Sequence, residues 1–514
     1  MLILIPCLFL FVPALALVIL RATQPNARYG WLVATGGAAL GFFGVFAWLA
    51  VMPFDWILPA WQPLAVFPTP ISFRADGVSW ALATSIFALI LSILLTGAIR
   101  RVSVHSFSWI GALALGGFGA LAVAANNPVT LVLMWSSLDL AELLAQLSSA
   151  QSARNNERAV ISFATRIAGS AFLLWSYITS FSNGSGYTFQ SIPSSAGAYL
   201  VIAVGLRLGV FPLHLPYDAG SALRRGFGTA LRLVGAVASL GALGRGLIVP
   251  SGATPFLAFF ASVAALYGGW MWLRSPDELT GRPYWMIGIA ALSVLSALSG
   301  SPTGAAAWAC ALILAGGALF LSSVQDARLN RALLGGAWSL SSLPFSLTAS
   351  AWTGSLGFFF PFALAAQALM TAGFVRHALR PSGDDSLADQ PAWARGAYPA
   401  GIVLLLIVQL LLGFLGWDGA LQIGNLIFAP AASLLALGLV WGSRRFRVLN
   451  PARAHWVSAA GSGINGMYQG LWSMYRGLAR LGLAVTDALE GEGGIMWTLL
   501  FMALFISIIA GGIQ

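Results

Sequence analysis

Residues 205–219 read GLRLGVFPLHLPYDA. One arginine, Arg207, stands inside an apolar run, five residues before Pro212 and seven before His214. Pro212 and Pro216 each lack a backbone donor, so a regular helix cannot continue through them. A lipid-facing arginine at a helix centre costs about 2.5–3.5 kcal/mol, so Arg207 is expected to face inward and find a partner. His214, between the two prolines, marks a helix break that frees backbone groups for water or for a relay. It reads equally as a buried histidine that only hydrogen-bonds.

The rest of the chain says that lipid is its solvent. Of 514 residues, 58% are hydrophobic and only 8% are charged, whereas soluble domains carry about 25% charged residues. A bilayer core asks for about 20 apolar residues per helical span. Such runs recur at 1–20, 30–52, 77–99, 106–125, 128–148, 160–182, 196–213, 226–249, 252–273, 284–300, 303–323, 332–350, 355–375, 397–415, 420–442 and 494–513. The fold class expected is an all-α polytopic membrane protein of about sixteen spans. No positive charge precedes the first span and no small-residue cleavage site follows Arg21, so it reads as a retained helix. Cys7 and Cys310 lie in different spans, which argues against a disulfide or metal framework. All 26 basic residues are arginine; the chain has no lysine.

The arginines alternate along the chain. Arg21 and Arg28 follow span 1, Arg100 and Arg101 span 3, Arg154 and Arg158 span 5, Arg224 and Arg225 span 7. The pattern continues with Arg274 and Arg282, Arg328 and Arg331, then Arg376, Arg380 and Arg395, and finally Arg444, Arg445, Arg447 and Arg453. The even connections are almost bare, Arg74 excepted. Positive charge stays cytoplasmic during insertion, so the odd connections are expected in the cytoplasm and both termini outside. The net charge of +10 is then a topology signal with a contribution from anionic lipids, and a nucleic-acid partner is not expected.

Residues 451–493 break the pattern. Ile464, Met467, Tyr468, Leu471, Trp472, Tyr475 and Leu478 recur at helical spacing, with Asn465, Gln469, Ser473, Arg476 and Arg480 between them. That is an amphipathic helix suited to the membrane interface or to the flanks of neighbouring helices. The polar stretch 380–395 reads as a flexible loop.

Few ionisable residues fall within spans. Asp139 and Glu142 stand three apart, so they share a helix face. Arg166, Arg207 and Arg232 occupy the next three spans. Two carboxylates and three guanidiniums in four consecutive helices describe an internal polar line. Structural ion pairs that fix helix packing are the competing reading. Arg245 reads as structural, and Asp76 as a helix-end residue.

These residues resemble the antiporter-like subunits of respiratory complex I and their relatives in Mrp antiporters, membrane-bound hydrogenases and inorganic-carbon uptake complexes. FRADGVS at 73–79 is similar to the start of that family's third helix, and LDLAELL at 138–144 to its fifth, which carries a key glutamate. GLRLGVFPLHLPYDA is similar to the seventh-helix signature, LPFSL at 343–347 to a turn in the twelfth, and DELTGRPYW at 277–285 to the segment before the tenth. The layout is closest to the largest complex I type. The resemblance implies two inverted five-helix repeats, about spans 4–8 and 9–13, each with a broken helix and a central charge. It divides the chain into 1–105, 106–250, 251–378, 379–450, 451–493 and 494–514.

The resemblance also implies roles. Arg207 stands at the seventh-helix lysine, and Arg232 near a polar position of the eighth helix. Asp139 stands at the fifth-helix glutamate; aligning on Trp135 instead puts Ser136 there, with Asp139 one turn later. Asp139, Glu142, Arg166, Arg207, His214 and Arg232 are the candidate proton-path or charge-coupling residues. Segments 305–320 and 335–347 of the second repeat hold no ionisable group but a cysteine, where the family has lysine, histidine or glutamate. A buried lysine can release a proton, but arginine cannot. The implied activity is proton translocation within a redox-driven NADH:quinone oxidoreductase-type assembly in the cell (inner) membrane. Its partners are other membrane subunits and a peripheral redox arm, with no cofactor expected in this chain. A degenerate coupling subunit, or a membrane subunit of an inorganic-carbon or cation uptake complex without redox chemistry, stands beside that reading.

Overall fold

The structure, a computed structural model, describes residues 2–446 and, beyond them, Gln469, Ser473 and Arg480. Within 2–446 it leaves out 25–28, 60–68, 98–105, 150–152, 183–185, 218–224, 324–326, 381–386, 388–389, 418–419, 421–423 and 425. The chain divides into two units, 1–452 and 453–514, and the first is described here. The amphipathic helix expected at 451–493 and the last span at 494–513 lie outside the described residues.

The elements run α1 (Leu4–Thr23), α2 (Gly30–Gly44, continued by a 3-10 turn), a hairpin of β1 (Phe54–Ile57) and β2 (Ser72–Ala75), α3 (Gly77–Thr96), α4 (Ser106–Ala124), α5 (Pro128–Ser149), α6 (Ala153–Ser182), α7 (Ser194–Leu208) and α8 (Phe227–Leu240). There follow α9 (Thr254–Arg274), α10 (Glu278–Leu298), α11 (Pro302–Leu321), α12 (Ala327–Leu333), α13 (Gly335–Ser339), α14 (Phe360–Ala378), α15 (Ala392–Leu415) and α16 (Phe428–Phe446). Among the described residues, ten helical segments are long and apolar enough to cross a membrane. Three shorter apolar ones, at 194–208, 227–243 and 428–442, add to them. The chain is an all-α, multi-span membrane protein.

Burial orders the helices. The apolar windows of α3 and α11 are 94% and 100% buried, that of α1 only 28%. A helix apolar all round belongs in a core, and α3 and α11 form one. Indole rings of Trp272, Trp285 and Trp308 pack there without exposure. The outer helices turn Leu15, Phe43, Trp175, Phe256 and Leu434 outward, which suits lipid as solvent.

Two expected spans are not continuous helices. α7 stops at Leu208, where Gly209 adopts φ +75°. A Cβ at Gly209 would lie 2.2 Å from the His214 carbonyl oxygen, so the turn needs glycine twice over. The break expected around His214 is therefore present.

The run at 332–350, expected as one span, is instead α12, α13 and an irregular segment. Pro344 cannot donate, and hydroxyls capture the local backbone. The Ser342 amide donates to Thr348 Oγ1 at 3.1 Å, and Thr348 Oγ1 donates to the Ser339 carbonyl at 2.8 Å. Ser342 and Phe345 adopt φ of 56° and 62°.

The connections gather as the arginine alternation requires. Trp31 Nε1 donates to the Leu94 carbonyl at 2.9 Å, and its ring lies 5.6 Å from Trp393. At that same set of odd connections, Glu278 accepts from Arg225 and is ion-paired with Arg380, each at 2.6 Å. Both arginines also donate to the carbonyl of Ser322, the residue that caps the C-terminus of α11, where cations suit the helix dipole. The even connections meet each other instead. Asn126 donates to Ser72 and Phe189 to Asn126, at 2.9 and 3.0 Å. Ser301 and Thr353 meet at 2.6 Å.

Candidate functional site

The site begins with three helical repeats of spacing. On α5, Asp139, Glu142 and Gln146 fall at i, i+3 and i+7; on α6, Ser162, Arg166 and Ser170 fall four apart. Residues so spaced share a face. On α8, Arg232 and Ser239 stand two turns apart. Arg207 sits in the last turn of α7, one residue before the helix unwinds. Gly169 lets α7 approach α6, since a Cβ there would meet Arg207 Cγ at 2.5 Å.

These faces converge on one buried ionic cluster. Arg207 donates through Nη1 and Nη2 to the two oxygens of Asp139, both at 2.7 Å. Its remaining donors reach Ser239 Oγ at 3.1 Å, Ser170 Oγ at 3.2 Å and the Arg166 carbonyl at 3.1 Å. Its guanidinium lies 4.1 Å from the Trp135 ring, a cation–π contact. Arg166 bridges the carboxylates, with Nε 3.1 Å from Asp139 and Nη1 2.9 Å from Glu142. Arg232 closes the line on Glu142 Oε1, and Gln146 donates to that oxygen at 2.6 Å. The Asp139 and Arg207 side chains are each 2% exposed.

Five of the six candidate residues are thus brought together. His214 is not among them. It is buried in the turn after α7, with Nδ1 2.7 Å from the Pro212 carbonyl, and among the described residues it makes no hydrogen bond to the cluster. Arg166 lies mid-helix and buried. Ser162, Ser170, Ser239, Gln146 and Tyr217 were not singled out by sequence. The four-residue spacing from Arg166 and Glu142 was the signal available for Ser162, Ser170 and Gln146.

A cavity of about 20 Å³ opens between Asp139, Glu142, Arg166, Arg207, Tyr217 and Arg232, enough for one water-sized occupant. Tyr217 takes the Arg232 guanidinium over its ring at 4.1 Å.

Asp76 and Arg245 take the structural places expected. Asp76 caps α3 in a reciprocal capping box with Ser79. Arg245 Nε stands 3.4 Å from Asp76, and the same guanidinium donates to the Ala125 and Arg74 carbonyls.

The corresponding break in the second half is filled without charge. Gln367 of α14 donates to the Leu340 carbonyl at 2.9 Å and to Ser342 Oγ at 3.0 Å, and accepts from Trp352 Nε1 at 2.8 Å. Ser339 Oγ donates to Gln409 of α15 at 2.8 Å. Ser296 and Ser301 donate to the Ala351 and Ser350 carbonyls at 2.6 and 3.0 Å. Segments 305–320 and 335–347 hold no ionisable group but a cysteine, as the sequence shows; the two glutamines come from neighbouring helices.

No family model matches the chain, and no curated protein matches it in sequence. Solved structures do match in fold. A chain of the Mrp complex from Dietzia sp. DQ12-45-1b superposes with a TM-score of 0.70 at 14% identity, covering 100% of this chain and 63% of that one. This chain therefore spans less than two thirds of the Mrp chain's length. A chain of respiratory complex I from Thermus thermophilus gives 0.61 at 18% identity, over 86% of this chain and 100% of that one. One from the membrane-bound sulfane sulfur reductase, an archaeal respiratory membrane complex, gives 0.64 at 15% identity and covers 99% of both. The chain thus has the fold of chains from these three assemblies, and two of the three, Mrp and complex I, are among those its motifs at 73–79, 138–144 and 205–219 resemble.

Proposed function

We propose that this chain is an antiporter-like membrane subunit of a multi-subunit, complex I-related assembly, and that it acts there as a charge-coupling element without a complete proton path of its own. The observation that carries the reading is the two-pronged Arg207–Asp139 pair, buried on both sides. A relay needs a group that gains and loses a proton, and arginine keeps its charge. A proton reaching Asp139 would have to compete with Arg207 for one of its two oxygens. The second half offers amides and hydroxyls closed on one another, with no ionisable group at its break. What the cluster does well is tie α5, α6, α7 and α8 into one body, which suits transmission of movement between neighbouring subunits.

In this reading the odd connections face the cytoplasm of the cell (inner) membrane, where their arginines meet anionic lipid. Other membrane subunits flank the chain, and a peripheral redox arm supplies the flavin, iron–sulfur and quinone chemistry. Proton translocation through the first half is the second reading. The cavity that touches both carboxylates favours it.

The test is proton movement by the reconstituted native complex with the double variant Asp139→Asn/Arg207→Gln, which removes both charges and leaves neither alone. Retention of most proton movement by a fully assembled complex excludes a proton path through Asp139. Loss of proton movement with assembly intact overturns the coupling role in favour of a path through Asp139. A colourless native complex, without flavin or iron–sulfur absorbance, would overturn the redox partner.

A further inference from the structure

Among the described residues, the buried cluster does not balance its charge. Asp139 and Glu142 face Arg166, Arg207 and Arg232, all five buried, so one positive charge is in excess. An uncompensated charge away from water is costly. The donors are in excess as well. Arg166 Nη2, Arg232 Nε and Tyr217 Oη are buried and find no hydrogen-bond partner among the described residues. The three residues that carry them line the same cavity of about 20 Å³.

We propose that this cavity binds a monatomic monovalent anion, chloride in the cell, held by Arg166, Arg232 and Tyr217. Water would satisfy the donors and leave the charge. An oxyanion such as phosphate or bicarbonate is larger than a cavity that admits one water-sized occupant. The carboxylates do not forbid a halide beside them. Asp139 has both oxygens engaged by Arg207, and Glu142 Oε1 already accepts from Arg232 and Gln146 and is ion-paired with Arg166. The anion would complete the neutralisation that the protein's own groups leave unfinished. The inference holds whether the chain couples charge or conducts protons.

The test uses the native complex in mild detergent, transferred to sodium gluconate and titrated with sodium chloride or bromide at constant ionic strength, with thermal unfolding of this chain as the readout. The expected result is a saturable rise in melting temperature with chloride and bromide and none with sulfate. Arg232→Gln, which removes the excess charge, should raise the half-saturating halide concentration at least about tenfold, a free-energy loss of roughly 1.4 kcal/mol. Glu142→Gln enlarges the excess and should lower that concentration; this second variant keeps the test decisive if the first does not assemble. Identical melting in all salts would place the balancing charge on the protein, with Asp218, outside the described residues, as the nearest carboxylate in sequence. It would overturn the proposal, as would halide stabilisation unchanged by both variants.

Discussion

The two halves of the core solve one structural problem with different chemistry. In the first, α7 unwinds after Leu208, the freed amides bond back to the Gly205 and Gly209 carbonyls, and a buried ionic cluster lies beside the break. In the second, the segment after α13 is irregular, and two glutamines and a set of hydroxyls meet it. Backbone freed in a membrane must be satisfied by protein or water. The first break closes largely on its own backbone and the second on hydroxyls and an amide, so a broken helix does not by itself require a charge. The charged half must therefore be explained by something besides closing the break. A buried ion pair is seldom a net source of stability compared with apolar packing; its strength is that it fixes one arrangement, and here that arrangement joins four helices.

The most severe way to break this comparison is to remove one side of the pair. Arg207→Leu leaves Asp139 buried with only Arg166 beside it, at 3.1 Å. Removing one partner of a buried pair costs about 3–5 kcal/mol. Loss of the assembled complex, or a large fall in its melting temperature, is the expected result. Arg207→Lys should recover part of it, because the charge returns and the two-pronged geometry does not. If Arg207→Leu melts like the parent, the cluster is not what holds the first half.

The uncharged break should give less. Gln367→Met keeps the volume and removes three hydrogen bonds at once, leaving Trp352 Nε1 and the Leu340 carbonyl without their partner. Each buried group left unsatisfied costs about 1–3 kcal/mol. Unfolding monitored by Trp fluorescence should show a measurable loss below that of Arg207→Leu. An equal or greater loss would mean that amides hold their break as firmly as ions do, and the contrast between the halves would fail.

Much of this was legible before any coordinates. The apolar runs and alternating arginines place the helices and pair their ends, because lipid imposes a strict length and an insertion bias. The partnership of Asp139, Glu142, Arg166, Arg207 and Arg232 follows from the cost of charge in lipid. The irregular stretch at 340–356 was hidden. Its apolar density resembles a span, and the hydroxyl traps at Ser342 and Thr348 declare themselves only when folded. Gln367 and Gln409 were hidden for another reason. One buried amide in a long apolar helix carries no periodic signal, and its partners come from elsewhere in the chain. His214 is the converse case, a motif residue that the fold holds in its own turn and away from the cluster.

The smallest effect checks the scale of the others. Asp277 caps α10, accepting from the Leu279 and Thr280 amides at 3.0 and 2.8 Å and from Thr280 Oγ1 at 2.7 Å. These contacts are exposed and belong to no cluster. Replacing a capping aspartate by alanine costs about 1 kcal/mol. Asp277→Ala should therefore shift melting slightly and leave halide dependence and proton movement untouched. The next residue, Glu278, joins Arg225 of the first half to Arg380 beyond α14, so a cap that matters more than this would show in both halves at once. Were Asp277→Ala to cost as much as Arg207→Leu, stability would lie in the α10 start and its ionic link, and the buried cluster would lose its claim to organise the first half.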